Sequence, residues 1–219
     1  MVAEFPFENV LIPYRFFGFD SVMYLVSAII GFLVSFYAFR LFTLAEKKFH
    51  FYLYLAFTVI SMGLLTLSIT SGYVYLNYFL TGTYIALDPY SSVDDFGYWI
   101  YYIASLVGYA LLALIYLPEQ KKSKLLPLLI FPPWYKGFPY FQILSFFLLS
   151  YVVFRSIANF SLNRNLNSLL VMLAFAGMSL FHLLLFFTSF SKIIYVVAHF
   201  SLLFGFLALL AMLVRVSRK

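Results

Sequence analysis

The amino-acid sequence predicts an all-α membrane protein in which seven transmembrane helices form a 3+1+3 parallel repeat, with the N-terminus outside and the C-terminus in the cytoplasm. Three observations predict this fold class: the composition, the length of the uncharged runs, and the placement of Lys and Arg. The 219 residues are 64% hydrophobic and 10% charged, with a mean hydropathy of +0.98, whereas soluble domains have about 25% charged residues. We therefore expect a single multi-pass domain, residues 1–219, in contact with the lipid bilayer of the cell membrane.

Uncharged runs give the predicted helices, because a bilayer crossing needs about 20 apolar residues at a rise of about 1.5 Å each. The crossings use nearly the whole chain, which excludes a soluble catalytic domain and nucleic acid as a partner. The net charge of +6 is then interpreted as the excess of Lys and Arg that sets the orientation of a membrane protein, and not as a site for a polyanion. The runs fall at about 21–43, 51–73, 97–117, 124–137, 140–158, 167–189 and 192–214.

The fourth run is the least regular of the seven. Its sequence LLPLLIFPPWYKGFP contains four prolines, and its apolar part of about 11 residues would reach only about 16 Å as a helix. If it crosses, only Arg15, Lys136 and Lys192 lie outside and the other 11 of the 14 basic residues are cytoplasmic; otherwise the counts are 8 inside and 6 outside. Since basic residues collect on the cytoplasmic side, we expect a crossing. The acidic residues agree, and Asp20 is among those placed on the outer side.

Three pairs of segments suggest an internal repeat. FLVSFYAFR (32–40) resembles FLLSYVVFR (147–155), and AFTVISMGLLTL (56–67) resembles AFAGMSLFHLLL (174–185). The third pair shares a spacing of small residues, Ala104/Gly108 and Ser201/Gly205, that lets membrane helices approach closely. We therefore divide the chain into an outer segment 1–20, a first repeat 21–117, a linker helix 118–139, a second repeat 140–214 and a basic cytoplasmic tail 215–219.

The predicted plan of three helices, one linker helix and three helices resembles that of the SWEET-type sugar facilitators, although the prolines that those carriers have in the first two helices of each repeat are missing here. The Arg-ending first helix, the basic loop LAEKKFHFY and the aromatic-rich second helix resemble the seven-helix sensor region that precedes some prokaryotic histidine kinases, and also archaeal seven-helix proteins. The first resemblance implies small-solute transport and the second implies sensing. Because the chain ends at Lys219 without a kinase, we expect a sensory signal to pass to another polypeptide.

Two of the three histidines lie in residues 181–200, at equal distances from the turn at Phe190-Ser191. Each is about eight residues from the turn, so both are expected about 12 Å below the outer helix ends. His182 and His199 are interpreted as neutral imidazoles bonded to neighbouring helices, as a proton or ligand site, or as a haem or metal site. Without cysteine or a carboxylate at this depth, two imidazoles do not complete a zinc shell, so no metal and no cofactor is assigned.

Six further polar residues are expected near the level of the histidines: Tyr101, Tyr102, Ser105, Thr66, Gln142 and Ser145. Together they predict an outward-facing cavity in the outer leaflet that binds a small ligand. The sequence contains no HExxH, phosphate loop or Ser/His/Asp set, so we expect no enzyme. These observations favour a non-enzymatic sensory, ligand-binding or accessory module, the last with a membrane protein as its partner. The alternatives are small-solute or proton-coupled transport, and haem or metal binding through the two histidines.

Overall fold

The computed structural model describes residues 17–81, 89–117, 138–188 and 191–218. These ranges contain six α-helices and no β-strand. Each helix contains a segment of 21 to 30 residues that is long and apolar enough to cross a bilayer. By the length and composition of its helices, the chain is therefore a multi-pass membrane protein. The helices are α1 (Phe17–Ala45), α2 (Lys48–Thr81), α3 (Pro89–Tyr116), α4 (Phe138–Asn163), α5 (Leu166–Phe186) and α6 (Lys192–Ser217).

The prediction of seven transmembrane helices is wrong, because the described residues contain six candidate spans. The predicted helix at 124–137 falls within residues 118–137, which lie outside the described ranges. Its sequence makes a poor span, since about 11 apolar residues reach about 16 Å of a hydrocarbon core that is about 30 Å thick. The N-out, C-in placement and the 3+1+3 plan both depended on that helix and are withdrawn with it. The predicted outer segment 1–20 is described only from Phe17 onward.

The other six predicted helices correspond to α1–α6. The predicted runs 97–117 and 167–189 extend slightly past the ends of α3 and α5, whereas α2 continues well beyond its predicted run. Polar side chains cap the starts of α5 and α6. The Asn165 side chain accepts a hydrogen bond from a backbone amide of α5 at 2.8 Å, and the Ser191 hydroxyl accepts one from α6 at 3.3 Å.

The six helices form a closed ring. Each helix packs against the next one in the sequence, and α6 packs against α1. Buried aromatic side chains, among them Phe57, Phe181 and Phe206, fill much of the interior. On the outside, large apolar side chains such as Phe147 and Phe154 are 65% and 71% exposed, and in a bilayer these surfaces contact lipid.

Contacts between α3 and α4 show that these helices run in the same direction. Tyr102, midway along α3, stacks on Phe141 near the start of α4 with 4.2 Å between ring centroids. Toward their ends, the Ser156 hydroxyl donates a hydrogen bond to the Tyr116 hydroxyl at 3.3 Å. The described residues that flank 118–137 therefore lie at opposite ends of the bundle.

The helices α1 and α6 also run in the same direction. Phe19 contacts His199 early in both helices, and Gly31 packs against Phe206 further along. Helices joined by short turns are antiparallel, so the described chain consists of two three-helix units, α1–α3 and α4–α6. The units meet along two seams, the α3–α4 seam and the α1–α6 seam.

The first turn of each unit has the same backbone form. Glu46 has a φ of 51° and its amide donates to the Phe42 carbonyl at 2.8 Å. Arg164 has a φ of 44° and its amide donates to the Phe160 carbonyl, also at 2.8 Å. One further residue precedes the next helix in both cases. Because left-handed backbone costs a non-glycine residue about 1–2 kcal/mol, its use at both turns is a specific similarity.

In each unit a glycine of the third helix packs on a backbone carbonyl of the second helix. A Cβ atom at Gly108 of α3 would lie 3.0 Å from the Ala56 carbonyl oxygen of α2. A Cβ atom at Gly205 of α6 would lie 2.7 Å from the Ala174 carbonyl oxygen of α5. In the similar sequence segments, Gly108 aligns with Gly205 and Ala56 aligns with Ala174. Small residues at these positions let the backbones touch, as expected for membrane helices.

Candidate functional site

The two histidines lie at nearly the same level of the α5–α6 hairpin. A Cβ atom at Gly177 of α5 would lie 3.1 Å from the Gly205 Cα of α6, so these residues face each other. His182 and His199 lie five and six residues closer to the turn than this contact, which is about 8–9 Å along the helix axes. The exposed fraction is 0% for His182 and 1% for His199. The two rings nevertheless have different partners.

The imidazole of His182 bridges three helices and both units. Its Nδ1 lies 2.6 Å from Gln142 Oε1 on α4, and its Nε2 lies 2.8 Å from the Tyr109 hydroxyl on α3. An amide oxygen only accepts hydrogen bonds, so Nδ1 carries the proton and Nε2 accepts from Tyr109. Both nitrogens of the neutral ring are thereby satisfied.

Unpartnered polar atoms surround this bridge. Within the described ranges, the Gln142 Nε2 and the Ser145 hydroxyl of α4 have no hydrogen-bond partner, and the Tyr101 and Ser105 hydroxyls of α3 lie beside each other and the Tyr109 hydroxyl. All four residues are at most 2% exposed. An unpaired buried polar group costs about 1–3 kcal/mol, so a molecule that bonds to these atoms would gain affinity. We call the set the His182 cluster: Tyr101, Ser105, Tyr109, Gln142, Ser145 and His182.

Five of the eight residues predicted near this level lie together in the His182 cluster, whereas the Thr66 hydroxyl bonds to the Met62 carbonyl of its own helix. Tyr102 instead stacks on Phe141 in the α3–α4 seam. His199 lies outside the cluster and contacts the ring of Phe181, which also contacts His182. Tyr109 completes the cluster; it was missed because nothing in a tyrosine-rich sequence distinguishes it from an interfacial tyrosine.

His199 lies in the α1–α6 seam. Its Nδ1 is 3.0 Å from the Tyr195 carbonyl oxygen one turn earlier on α6, and its Nε2 is 3.8 Å from Asp20 Oδ1 on α1. The rings of Phe19, Tyr24 and Tyr195 lie 5.6, 5.1 and 4.6 Å from the imidazole. An acid–imidazole contact is therefore enclosed by aromatic rings.

The expectation that no carboxylate lies near the histidines is wrong. Asp20 is only 1% exposed and contacts His199, which is seven residues into α6. Asp20 was predicted on the outer side because each predicted span was taken to begin after a charged residue. Such a rule places any charged residue near the start of a helix outside the membrane. In the structure α1 begins at Phe17, so Asp20 lies within its first turn and points into the bundle.

The two histidines do not form a joint metal or haem site in the described part of the protein. His182 bonds to α3 and α4, whereas His199 contacts α1 and its own helix. In the same ranges no group of three His, Asp or Glu side chains could hold a metal ion. The two sites are connected by tyrosines instead, because Tyr24 beside His199 lies 6.1 Å from Tyr101 of the His182 cluster, measured between ring centroids.

Comparisons with known proteins find no matching family model, no matching curated protein and no matching solved structure. The resemblances to SWEET-type facilitators and to seven-helix sensor regions therefore stay predictions.

Proposed function

We propose that this protein binds a small polar ligand in the His182 cluster and acts in the cell membrane as a non-enzymatic sensory, ligand-binding or accessory module. The observation that carries the proposal is the meeting of polar side chains from both units at a site where none is more than 2% exposed. Polar side chains inside a membrane bundle are costly and usually functional. A structural role alone explains the His182 bridge, but it does not explain the unpartnered Gln142 Nε2 and Ser145 hydroxyl beside it.

The chemistry of the cluster favours a neutral ligand. Its side chains offer hydroxyl groups, one amide and one neutral imidazole, and none carries a formal charge. The Gln142 Nε2 donates hydrogen bonds only, whereas the hydroxyls of Ser105 and Ser145 both donate and accept. A small molecule that carries hydroxyl or amide groups matches this set, and an unpaired ion does not.

Ligand-dependent stability tests the proposal. The purified protein is unfolded in the presence of glycerol, urea or glucose at concentrations below those that alter the stability of unrelated membrane proteins. Binding to the folded state raises the unfolding free energy, by about 2.7 kcal/mol at a hundredfold excess over the dissociation constant. We expect the double variant Ser105→Ala/Ser145→Ala to lose this gain, and the exposed variant Thr43→Ala to keep it. A gain of equal size in the double variant would contradict binding in the His182 cluster.

A small-solute or proton-coupled carrier is the second candidate, and the two similar units favour it. Transporters built from parallel repeats place their substrate between the repeats, and the His182 cluster joins Tyr109 of the first unit to Gln142 and His182 of the second. Radiolabelled glucose or urea uptake into proteoliposomes tests this alternative. Uptake that falls on replacement of His182 by Gln supports a carrier, whereas binding without uptake supports the sensory or accessory module.

A further inference from the structure

The proton positions of His199 follow from its partners. The Tyr195 carbonyl oxygen lies 3.0 Å from Nδ1 and can only accept a hydrogen bond, so Nδ1 must carry a proton. In a neutral imidazole the other nitrogen then has a lone pair and no hydrogen. That nitrogen, Nε2, has no hydrogen-bond partner and faces Asp20 Oδ1 at 3.8 Å.

Neutral His199 and ionised Asp20 therefore present two acceptors to each other. We propose that Asp20 and His199 form a proton-binding site in the α1–α6 seam, which takes up one proton between His199 Nε2 and Asp20 Oδ1. The proton either converts the imidazole to imidazolium or the carboxylate to a carboxylic acid, and no other bond changes. In both forms one atom donates to the other, and the contact becomes a charge-assisted or neutral hydrogen bond of about 2.6–2.9 Å.

Titratable groups of α1, α2, α3 and α6 lie at or near this site. Tyr24 on α1 and Tyr195 on α6 contact the imidazole ring, and the Tyr195 hydroxyl adjoins both Asp20 and Tyr24. From α2, the ring of Tyr75 packs on Gly18, two residues before Asp20. From α3, Tyr98, Tyr101 and Tyr102 lie close enough to interact with these phenols. From α5, Phe181 separates the site from His182.

Proton uptake would strengthen the contact between the two units. Asp20 belongs to the first unit and His199 to the second, and both are buried, so water does not screen their interaction. Without the proton, the two facing lone pairs repel and weaken the α1–α6 seam; with the proton, the same pair holds the seam closed. The site is distinct from the His182 cluster, and the inference does not depend on whether that cluster binds a ligand.

Nuclear magnetic resonance of the full chain in lipid nanodiscs tests the inference. The chain contains only three histidines and four aspartates, so ¹⁵N-labelled His and ¹³Cγ-labelled Asp give few signals, which single substitutions assign. Across about pH 4 to pH 10, we expect the His199 and Asp20 signals to change together at one midpoint with the uptake of one proton, as coupled groups do. The substitutions serve only to assign the signals, and the titration itself is recorded on the unsubstituted protein.

Two conservative variants and two controls complete the experiment. Asp20→Asn places a permanent amide donor opposite Nε2 and should remove the shared midpoint, and His199→Gln should move the Asp20 midpoint by about one pH unit or more. His182→Gln and His50→Gln should leave the shared midpoint unchanged. Separate midpoints for His199 and Asp20, each unaffected by substitution of the other, would overturn the proposal. The absence of any pH-dependent change at both residues would overturn it as well.

Discussion

The hydrogen bond between Tyr109 and His182 gives the most specific prediction for the packing of the bundle. Tyr109→Phe removes one oxygen atom, keeps the edge-to-face ring contact at 5.1 Å between centroids and leaves His182 Nε2 without its donor. Polar contacts between membrane helices contribute about 0.6 kcal/mol on average and about 1.7 kcal/mol at most. This bond is 2.8 Å long and joins residues that are 1% and 0% exposed, so we expect a coupling free energy in the upper part of that range, about 1–1.7 kcal/mol.

A double-mutant cycle isolates this coupling. Unfolding free energies are measured in mixed micelles for the unsubstituted protein, Tyr109→Phe, His182→Phe and the double variant. Tyr37→Phe is the matched control, because Tyr37 is only partly buried and lies on α1, whereas His182 bonds to α3 and α4. A coupling free energy below about 0.3 kcal/mol, the level at which independent sites add, would refute the bridge between α3 and α5.

Three further predictions follow from the packing and from the separate environments of the histidines. Gly205→Ala and Gly108→Ala should each destabilise the protein by about 1–3 kcal/mol in the same unfolding assay, because the added Cβ overlaps a facing backbone; a cost at one glycine and none at the other would contradict the similarity of the two units. Asn165→Ala removes the cap of α5 and should cost about 1 kcal/mol, with Asn165→Ser retaining most of the stability; equal loss in both variants would show that the cap does not matter. The purified protein should show no Soret absorbance after expression with added haem, and a Soret band that disappears in His182→Gln would contradict the assigned partners of that histidine.

The sequence predicts the helices well where one physical effect dominates. Long uncharged runs have few alternatives in lipid, where every backbone polar group must be bonded within a helix or a barrel. Six of the predicted runs accordingly match α1–α6. The prediction of a seventh crossing depended on the count of basic residues rather than on helix-forming sequence; the described residues contain six candidate spans, and the run at 124–137 lies outside them.

The partners of the polar residues are less predictable from the sequence. The level of His182 and His199 follows from counting along a hairpin, but the direction of each ring depends on the rotation of α5 and α6 about their axes. Asp20 was assigned to the outer surface because a charge was taken to mark the end of a span. Its burial depends on the start of α1 at Phe17 and on the contact with α6, and neither is visible in a local pattern.

Cross-linking across the α3–α4 seam tests whether the two three-helix units run in the same direction. The chain contains no cysteine, so introduced cysteines react without background. Tyr102→Cys/Phe141→Cys should cross-link efficiently with a short bifunctional thiol reagent, because these side chains stack at 4.2 Å, whereas Tyr116→Cys/Phe141→Cys should not. Efficient cross-linking of the second pair and none of the first would show that α3 and α4 are antiparallel and would contradict the account.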